Sequence, residues 1–533
     1  LIGAPRVILA TLNAKYIHAS LGLRYLLANM ERHGSPALRA ATVLREFTIH
    51  RPVQEVADAL LQELGPPTAA VQVLGLGVYV WNVVQTTALL RLLKSQRPAL
   101  KLVLGGPEVS HEWEGQEIFA LADHLITGWG DVSFPRLCRA LTEGPQPLMK
   151  VLAGEQPPLE QIALPYAQYD ATDLAHRVLY VEASRGCPFK CEFCLSALDK
   201  TAWAFETDAF LSALEDLYQR GARTFKFVDR TFNLKVEASA RLLQFFLDKL
   251  AQPAREAIFL HFEVVPDHLP DRLRELIVQF PPGVLQFEIG IQSFNPQVQA
   301  RVARRQDNER SCANIAWLVQ HTRAHLHTDL IFGLPGESWD SFAAGFDRLL
   351  ALKPHEIQLG LLKRLRGTPL AQRSLPGSAA QWGMVYDTAP PYTVLQTDAV
   401  DAAEVQAFAR LARYWDLLAN SGRFSRTLAL LLAGPSPFAA FADFSQWLWG
   451  HTARTSGLTP EMLVDALFDY LAAVRGTDPR AVREALLADY LGSGARASPA
   501  ALRGHLPARL KIRGSAGSAA STRNPRQQRH QSP

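Results

Sequence analysis

Three of the five cysteines in this 533-residue chain stand close together in Arg185-Gly186-Cys187-Pro188-Phe189-Lys190-Cys191-Glu192-Phe193-Cys194, spaced C-x3-C-x2-C. A loop this short can turn three sulfurs toward one point. Thiolates are soft ligands that suit zinc or an iron–sulfur cluster. A structural zinc site wants four ligands, and no fourth cysteine or histidine follows at finger-like spacing. Three thiolates leave one iron of a four-iron cluster open for a further ligand. Gly186 lets the backbone approach such a cluster closely, and Phe193 sets an aromatic ring just before the third cysteine. On the spacing alone a zinc loop or an incidental cluster stays open. A disulfide framework fits less well, because the chain is large, has few cysteines and opens on no signal-peptide pattern, so a cytoplasmic location is expected.

The elements that would carry this loop follow from composition and pattern. A chain of 533 residues with 48% hydrophobic and 20% charged content should build two or three ordinary globular domains. No apolar run reaches the length of a membrane span. The formal charge of +4 belongs to the end of the chain: Arg503, Arg509, Lys511, Arg513, Arg523, Arg526 and Arg529 lie in a stretch without acids. The remainder is slightly acidic, so the charge is not a nucleic-acid footprint.

Within residues 1–142, short apolar runs at 7–12, about 38–43, 71–80, 100–104 and 124–127 read as strands. Helical stretches alternate with them, the first capped by Ser20 and stopped at Gly34. This predicts an α/β domain with a doubly wound five-stranded parallel sheet. Such sheets bind ligands at the carboxyl ends of their strands. Those ends carry 13–18, 77–81, 105–108 and 128–131, rich in glycine and aromatics, as an edge receiving a large flat ligand would be. Residues 143–174, dense in Pro and Gly, read as a linker, with Asp170 and Asp173 leading into the next strand. Six further strands, at 178–183, 224–228, 258–265, 285–291, 328–332 and 356–362, each have helical sequence behind them, which predicts a parallel partial barrel over 175–372. The cysteine loop follows its first strand and so lands on the active face. Residues 373–500 read as a helical domain that covers the barrel or binds substrate, and 501–533 as a basic tail, disordered from about 514.

C-x3-C-x2-C with an aromatic before the last cysteine resembles the signature of the radical S-adenosylmethionine (SAM) enzymes. The strand–helix repeat extends that resemblance over the core. A five-stranded domain placed before it resembles a cobalamin-binding domain, with Gly105-Gly106 and Gly128-x-Gly130-Asp131 as the matching turns. Relatives commonly carry an acid where this chain has Trp129. The D-x-H-x-x-G motif is absent; the nearest histidine, His18, has Gly22 four residues on rather than three.

The resemblance implies a [4Fe-4S] cluster on Cys187, Cys191 and Cys194, which are both metal ligands and catalytic. It implies SAM on the open iron, near Phe193, Glu288, Gln292, Arg304 or Arg305, and the turn Gly333-Leu334-Pro335-Gly336-Glu337. It implies cobalamin against Gly105, Gly106, Gly128, Tyr79 and His18. Two apart on one strand, His261 and Glu263 share a face and could hold substrate or each other. Asp229, at the second core strand's end, is a further polar group on the active face. Cys138 and Cys312 read as buried hydrophobes.

The expected function is a cobalamin-dependent radical SAM enzyme. SAM is cleaved reductively to a 5′-deoxyadenosyl radical, and an unactivated carbon of an unidentified substrate is modified, with methyl transfer leading. Ring formation or rearrangement without methyl transfer, and a non-catalytic cobalamin or iron–sulfur sensor, are the alternatives. A flavodoxin- or ferredoxin-type electron donor and a small-molecule substrate are the implied partners, with no specific nucleic acid.

Overall fold

A computed structural model describes residues 6–67, 70–252, 257–374, 382–493, 495, 497–507, 526, 529 and 530. The chain forms two compact units. The first comprises Leu1–Arg230, Lys363–Gln381 and Asp387–Thr393; the second comprises Thr231–Leu362, Trp382–Tyr386 and Val394–Pro533.

The first unit begins with a sheet of β1 (Arg6–Asn13), β2 (Thr42–Thr48), β3 (Gln72–Gly77), β4 (Lys101–Gly105), β5 (His124–Thr127) and β6 (Val151–Ala153). The order is β2-β1-β3-β4-β5-β6 and every pairing is parallel. Helices cover both faces, which is why β1 is continuously apolar over 7–10. Val7 and Leu9 pack with Leu23, Leu27 and Met30 on one side. Ile8, Ala10 and Leu12 pack with Val56 and Leu60 on the other.

Three features differ from the pattern reading. β2 begins at Thr42 because Ser35 accepts from the Leu38 N–H and starts a short helix, Pro36–Ala40. β6 is a sixth strand, formed by three residues in the stretch read as linker. Asp170 and Asp173 form a capping box on the helix Ala171–His176 rather than leading straight into a strand. Asp173 also accepts from the buried Arg24 guanidinium at 2.6 Å, and Glu46 receives both Arg24 and Arg177. These ion pairs hold the connecting segment on the sheet domain.

The first unit also contains β7 (Leu179–Val181), the hairpin β8 (Ser184–Arg185) and β9 (Trp203–Ala204), and β10 (Thr224–Phe227), which pairs parallel with β7. The second unit contains β11 (Phe259–Val264), β12 (Leu285–Gln292), β13 (His325–Phe332) and β14 (Glu356–Leu361), all parallel and neighbours in chain order. These are the strands expected of the partial barrel, with helices such as Asn308–His321 and Trp339–Ala351 behind them. β12 shows the pattern that positions a site: Leu285, Phe287, Ile289 and Ile291 are buried, while Gln286, Glu288, Gly290 and Gln292 on the other face are only partly so.

The carboxyl-terminal region is helical. Asp401, Ser436, Thr459 and Asp478 each accept backbone N–H bonds at a helix start. Trp415 donates its indole N–H to the Ile357 carbonyl of β14 at 2.9 Å, fixing the first of these helices to the strand. Residues 508–525 of the basic tail lie outside the described residues, as do 527, 528 and 531–533. Arg526 is described and departs from a disordered tail: it pairs with buried Glu356 at 2.9 Å and with Asp416 at 2.8 Å. Among the described residues no helix is long and apolar enough to cross a membrane.

Candidate active site

The carboxyl edge of the first sheet opens on a cavity of about 480 Å³. Gly22, Gly77, Tyr79, Gly105, Gly106 and Gly128 line it from the sheet domain, and Arg185, Gly186, Ser196 and Asp199 line it from the cysteine loop. The backbone here needs glycine: Gly106 sits at φ +108°, and a Cβ would lie 2.5 Å from the Val78 carbonyl oxygen. Ser110 ties the two glycine turns together, donating to the Gly106 carbonyl at 2.8 Å and accepting from the Gly128 N–H at 3.2 Å. At Gly128 a Cβ would meet no atom within 4 Å, so the turn shows bare backbone to open space. The Tyr79 ring stacks on Trp81 at 4.4 Å. A glycine-lined edge with an adjoining aromatic pair fits a broad flat ligand such as a corrin.

The sequence candidates Gly105, Gly106, Gly128 and Tyr79 thus meet in one place. His18 does not join them, and no described histidine lines the cavity. Asn13 donates to the His18 carbonyl and to Glu46, which turns the loop after β1 away. The His18 Nδ1 lies 2.7 Å from the Tyr180 hydroxyl. Burial, then Lys226, pushes the His18 pKa below its ordinary value.

The cysteine loop is folded by its own backbone. The Cys187 N–H donates to the Asp199 carbonyl at 2.9 Å, and the Cys194 N–H to the Cys191 carbonyl at 3.1 Å. Gly186 takes φ +84°, where a Cβ would lie 2.7 Å from the Ala202 nitrogen, so the turn into Cys187 excludes any side chain. Cys187 and Cys191 are buried and Cys194 partly so. Burial pushes the Cys187 pKa up, and Cys194 and Cys191 push it the same way. Among the described residues no group of three His, Cys, Asp or Glu is drawn tightly enough for one ion. Three soft thiols spread along a loop fit a polynuclear iron–sulfur cluster better than a four-donor zinc site.

Arg185 joins this loop to the sheet domain, a role no motif announced. Its guanidinium donates to both oxygens of Asp131 at 2.7 and 3.0 Å and to Glu182 at 2.7 Å. It lies over the rings of Tyr25 at 4.3 Å and Trp129 at 4.8 Å. Burial opposes its charge, but Glu182 and Asp131 outweigh that and hold its pKa well above the ordinary value. Trp129 donates its indole N–H to Asp199 of the cysteine loop at 2.7 Å.

Asp229 closes the end of β10. It accepts from the Ala183 N–H at 2.9 Å and the Ser184 hydroxyl at 2.6 Å. Burial pushes its carboxyl pKa up to about 7, against the pull of those two bonds. The unfolded chain releases this proton near pH 3.9, whereas the folded one keeps it to about pH 7. The contribution to stability is therefore full below the unfolded value, declines as pH rises, and is lost above the folded value. Thermal melts at pH 5 and pH 7.5 should show Asp229→Asn losing less stability over that interval than the native chain. An equal loss in both would exclude this carboxyl as the source.

The second unit holds the remaining sequence candidates. Glu263, Glu288 and His327 stand in register across β11, β12 and β13. The His261 Nε2 lies 2.9 Å from the Glu288 carboxylate. Burial opposes charge on His327, but Asp329, then Glu356 and Glu288, raise its pKa. Gln292 sits at φ +68° where the β12–β13 register shifts. Its buried Oε1 has no hydrogen-bond partner among the described residues, so an acceptor there awaits a donor such as a ribose hydroxyl or an ammonium. Arg305 is exposed. Arg304 instead donates to the Gly290 carbonyl of the strand end and to Gln306, just after Ala303 takes φ +52°. Gly333, at φ +85°, packs on Val394. Buried Glu337 accepts from the Ser341 hydroxyl, and burial pushes its pKa up. Cys138 is buried in the sheet domain's core, as expected, and Cys312 is half-buried.

A parallel-sheet module, a strand–helix barrel and a three-thiol loop define a class, and the comparisons agree. Residues 181–349 match the model of the radical SAM superfamily, so the chain carries a radical SAM domain. Residues 380–509 match a model described as "Protein of unknown function (DUF4080)". The chain is similar to the cobalamin-dependent radical SAM methyltransferase TokK of Streptomyces tokunonensis, 24% identical over 368 residues, covering 62% of this chain and 51% of that protein. It is also similar to the 2-(S-pantetheinyl)-carbapenam-3-carboxylate methyltransferase of Streptantibioticus cattleyicolor, 25% identical over 360 residues, covering 61% and 51%. The chain thus spans about half the length of these curated relatives.

Among solved structures, the radical SAM methyltransferase TsrM of Kitasatospora setae, with cobalamin and a [4Fe-4S] cluster bound, matches at a TM-score of 0.57 and 14% identity, over 90% of this chain and 98% of that one. OxsB, a cobalamin-dependent SAM radical enzyme with aqua-cobalamin and SAM bound, matches at 0.56 and 13%, over 91% and 78%. These likenesses establish the fold.

Proposed function

We propose that this chain is a cobalamin-dependent radical SAM enzyme that transfers a methyl group to an unactivated carbon of a small molecule. One observation carries the reading: a single cavity is walled by the glycine edge of the first sheet and by the cysteine loop. Cys187, Cys191 and Cys194 would hold the cluster. Glu288 and Gln292 would meet SAM, with Phe193 and the Gly333 turn beside it. Gly105, Gly106, Gly128 and Tyr79 would receive cobalamin. When bound, these groups supply reductive SAM cleavage, a carbon-centred radical and a transferable methyl group.

The chain's own residues bind, orient and shield. Arg185 sets the cysteine loop against the turn that carries Gly128. Asp229 fixes the strand end that delivers the loop. The partly buried polar face of β12 offers Glu288 and Gln292 as oriented acceptors. A small redox protein of flavodoxin or ferredoxin type would deliver the electron.

The test is anaerobic reconstitution with iron, sulfide and hydroxocobalamin, then incubation with methyl-deuterated SAM and a strong reductant. The expected products are 5′-deoxyadenosine and S-adenosylhomocysteine, with label on cobalamin that co-elutes with protein through gel filtration. A cluster without SAM cleavage would favour a sensor. 5′-Deoxyadenosine without S-adenosylhomocysteine would favour a rearranging or ring-forming enzyme. Loss of cobalamin on the column would overturn the account of the first domain.

A further inference from the structure

After the last barrel strand, the chain returns to the first unit as the segment 363–374, and this segment touches both walls of the cavity's surroundings. At one end, Arg366 donates to the Glu108 carboxylate at 2.8 Å. The Tyr392 hydroxyl donates to the same oxygen at 2.7 Å and accepts from Arg366 at 3.0 Å. Arg364 and the Gly367 N–H take the two oxygens of Glu112 at 2.8 and 3.1 Å. Gly367, at φ +81°, lies flat on His111, whose ring a Cβ would strike at 2.3 Å.

Glu108 is only 4% exposed and belongs to the loop that begins with Gly105 and Gly106 in the cavity wall. Gln116 braces that loop from inside by donating to the carbonyls of Glu108, His111 and Glu112.

At the other end, the Leu370 N–H donates to the Glu192 carbonyl at 3.0 Å, and Arg373 pairs with the Glu192 carboxylate at 2.9 Å. Glu192 lies between Cys191 and Cys194. The strap between the two ends is short and partly helical, since Thr368 caps the turn Pro369–Arg373.

Resting on the reading of the two sites above, we infer that the segment 363–374 is a strap that couples cobalamin binding to cluster assembly. Arg366 and Tyr392 act as positioning residues. Ordering the cysteine loop fixes Glu192, then the strap, then Glu108 and the Gly105-Gly106 turn. Cobalamin binding runs the same chain in reverse. Such coupling is reciprocal by linkage: each cofactor tightens the other by one and the same factor.

The experiment measures hydroxocobalamin affinity by absorbance titration, under anaerobic conditions, on the cluster-free and cluster-reconstituted full chain. In the native chain the cluster should tighten cobalamin on the order of fivefold or more. Cobalamin should in turn slow removal of cluster iron by a chelator. In Arg366→Gln both effects should vanish, while each cofactor still binds alone. Tyr392→Phe, which removes one hydroxyl and little else, should reduce both effects, and it carries the test if Arg366→Gln loses its native circular dichroism. Coupling that survives both substitutions, or no coupling in the native chain, overturns the strap. If the native chain binds no cobalamin in either state, the functional reading fails and the strap with it.

Discussion

Cys191→Ala should bring 5′-deoxyadenosine formation to background, while Cys312→Ala leaves it unchanged. Cys191 is a buried thiol in a loop that also carries Cys187 and Cys194. A four-iron cluster held by three thiolates has no spare protein ligand. Removing one leaves a second iron without a protein sulfur, and the site-specific open position that would receive SAM is lost. Cys312 lies on the helix Asn308–His321, behind the strands of the second unit, so its loss tests for nonspecific damage. Iron and sulfide content, the electron paramagnetic resonance spectrum of the reduced protein, and product analysis should fall together in Cys191→Ala. Full 5′-deoxyadenosine production by that variant would exclude the loop as the cluster site.

Arg185→Met should lower the melting temperature more than any surface substitution. The guanidinium is 12% exposed, Asp131 6% and Glu182 12%. Removing the cation leaves two carboxylates buried without their partner, which costs about 3–5 kcal/mol where a buried pair is broken. At about 2–4 °C per kcal/mol for a domain of this size, the shift is on the order of 10 °C. Arg185→Lys should recover only part of this, because an ammonium cannot donate in a fork to Asp131 and lie flat on Tyr25 and Trp129 together. The double variant Arg185→Met with Asp131→Asn should be less damaged than the sum of the two singles, since the second change removes one stranded charge. Additive losses in calorimetry would mean that the pair is not coupled. Cobalamin retention should fall in parallel, because Asp131 ends the turn that carries Gly128.

What was legible in the sequence divides by the range of the interaction that carries it. β1 was legible because its burial on both faces makes residues 7–10 continuously apolar. β6 was not, because three residues after a Gly- and Pro-rich stretch carry no period, and the strand exists only through pairing with β5. The segment read as a linker is bound down by Asp173 and Arg24, whose partnership spans the whole sheet domain. Arg304 and Arg305 are equal candidates by type. The backbone after Val302 decides that Arg304 reaches the strand end.

By itself the sequence determined the spacing of the three cysteines and the two strand–helix repeats. Cysteine spacing fixes how far apart three sulfurs can be, and hydrophobic period fixes which face of each element is buried; both are local properties of the chain. Only the tertiary structure decided that His18 turns to Tyr180 and not to the cavity. It also decided that Arg185 latches the cysteine loop to Asp131, and that the segment after the last strand holds Glu108 at one end and Glu192 at the other. Each of these is a pairing of charged or polar groups far apart in sequence. Its strength comes from burial, and burial is set only when the elements between the partners have packed.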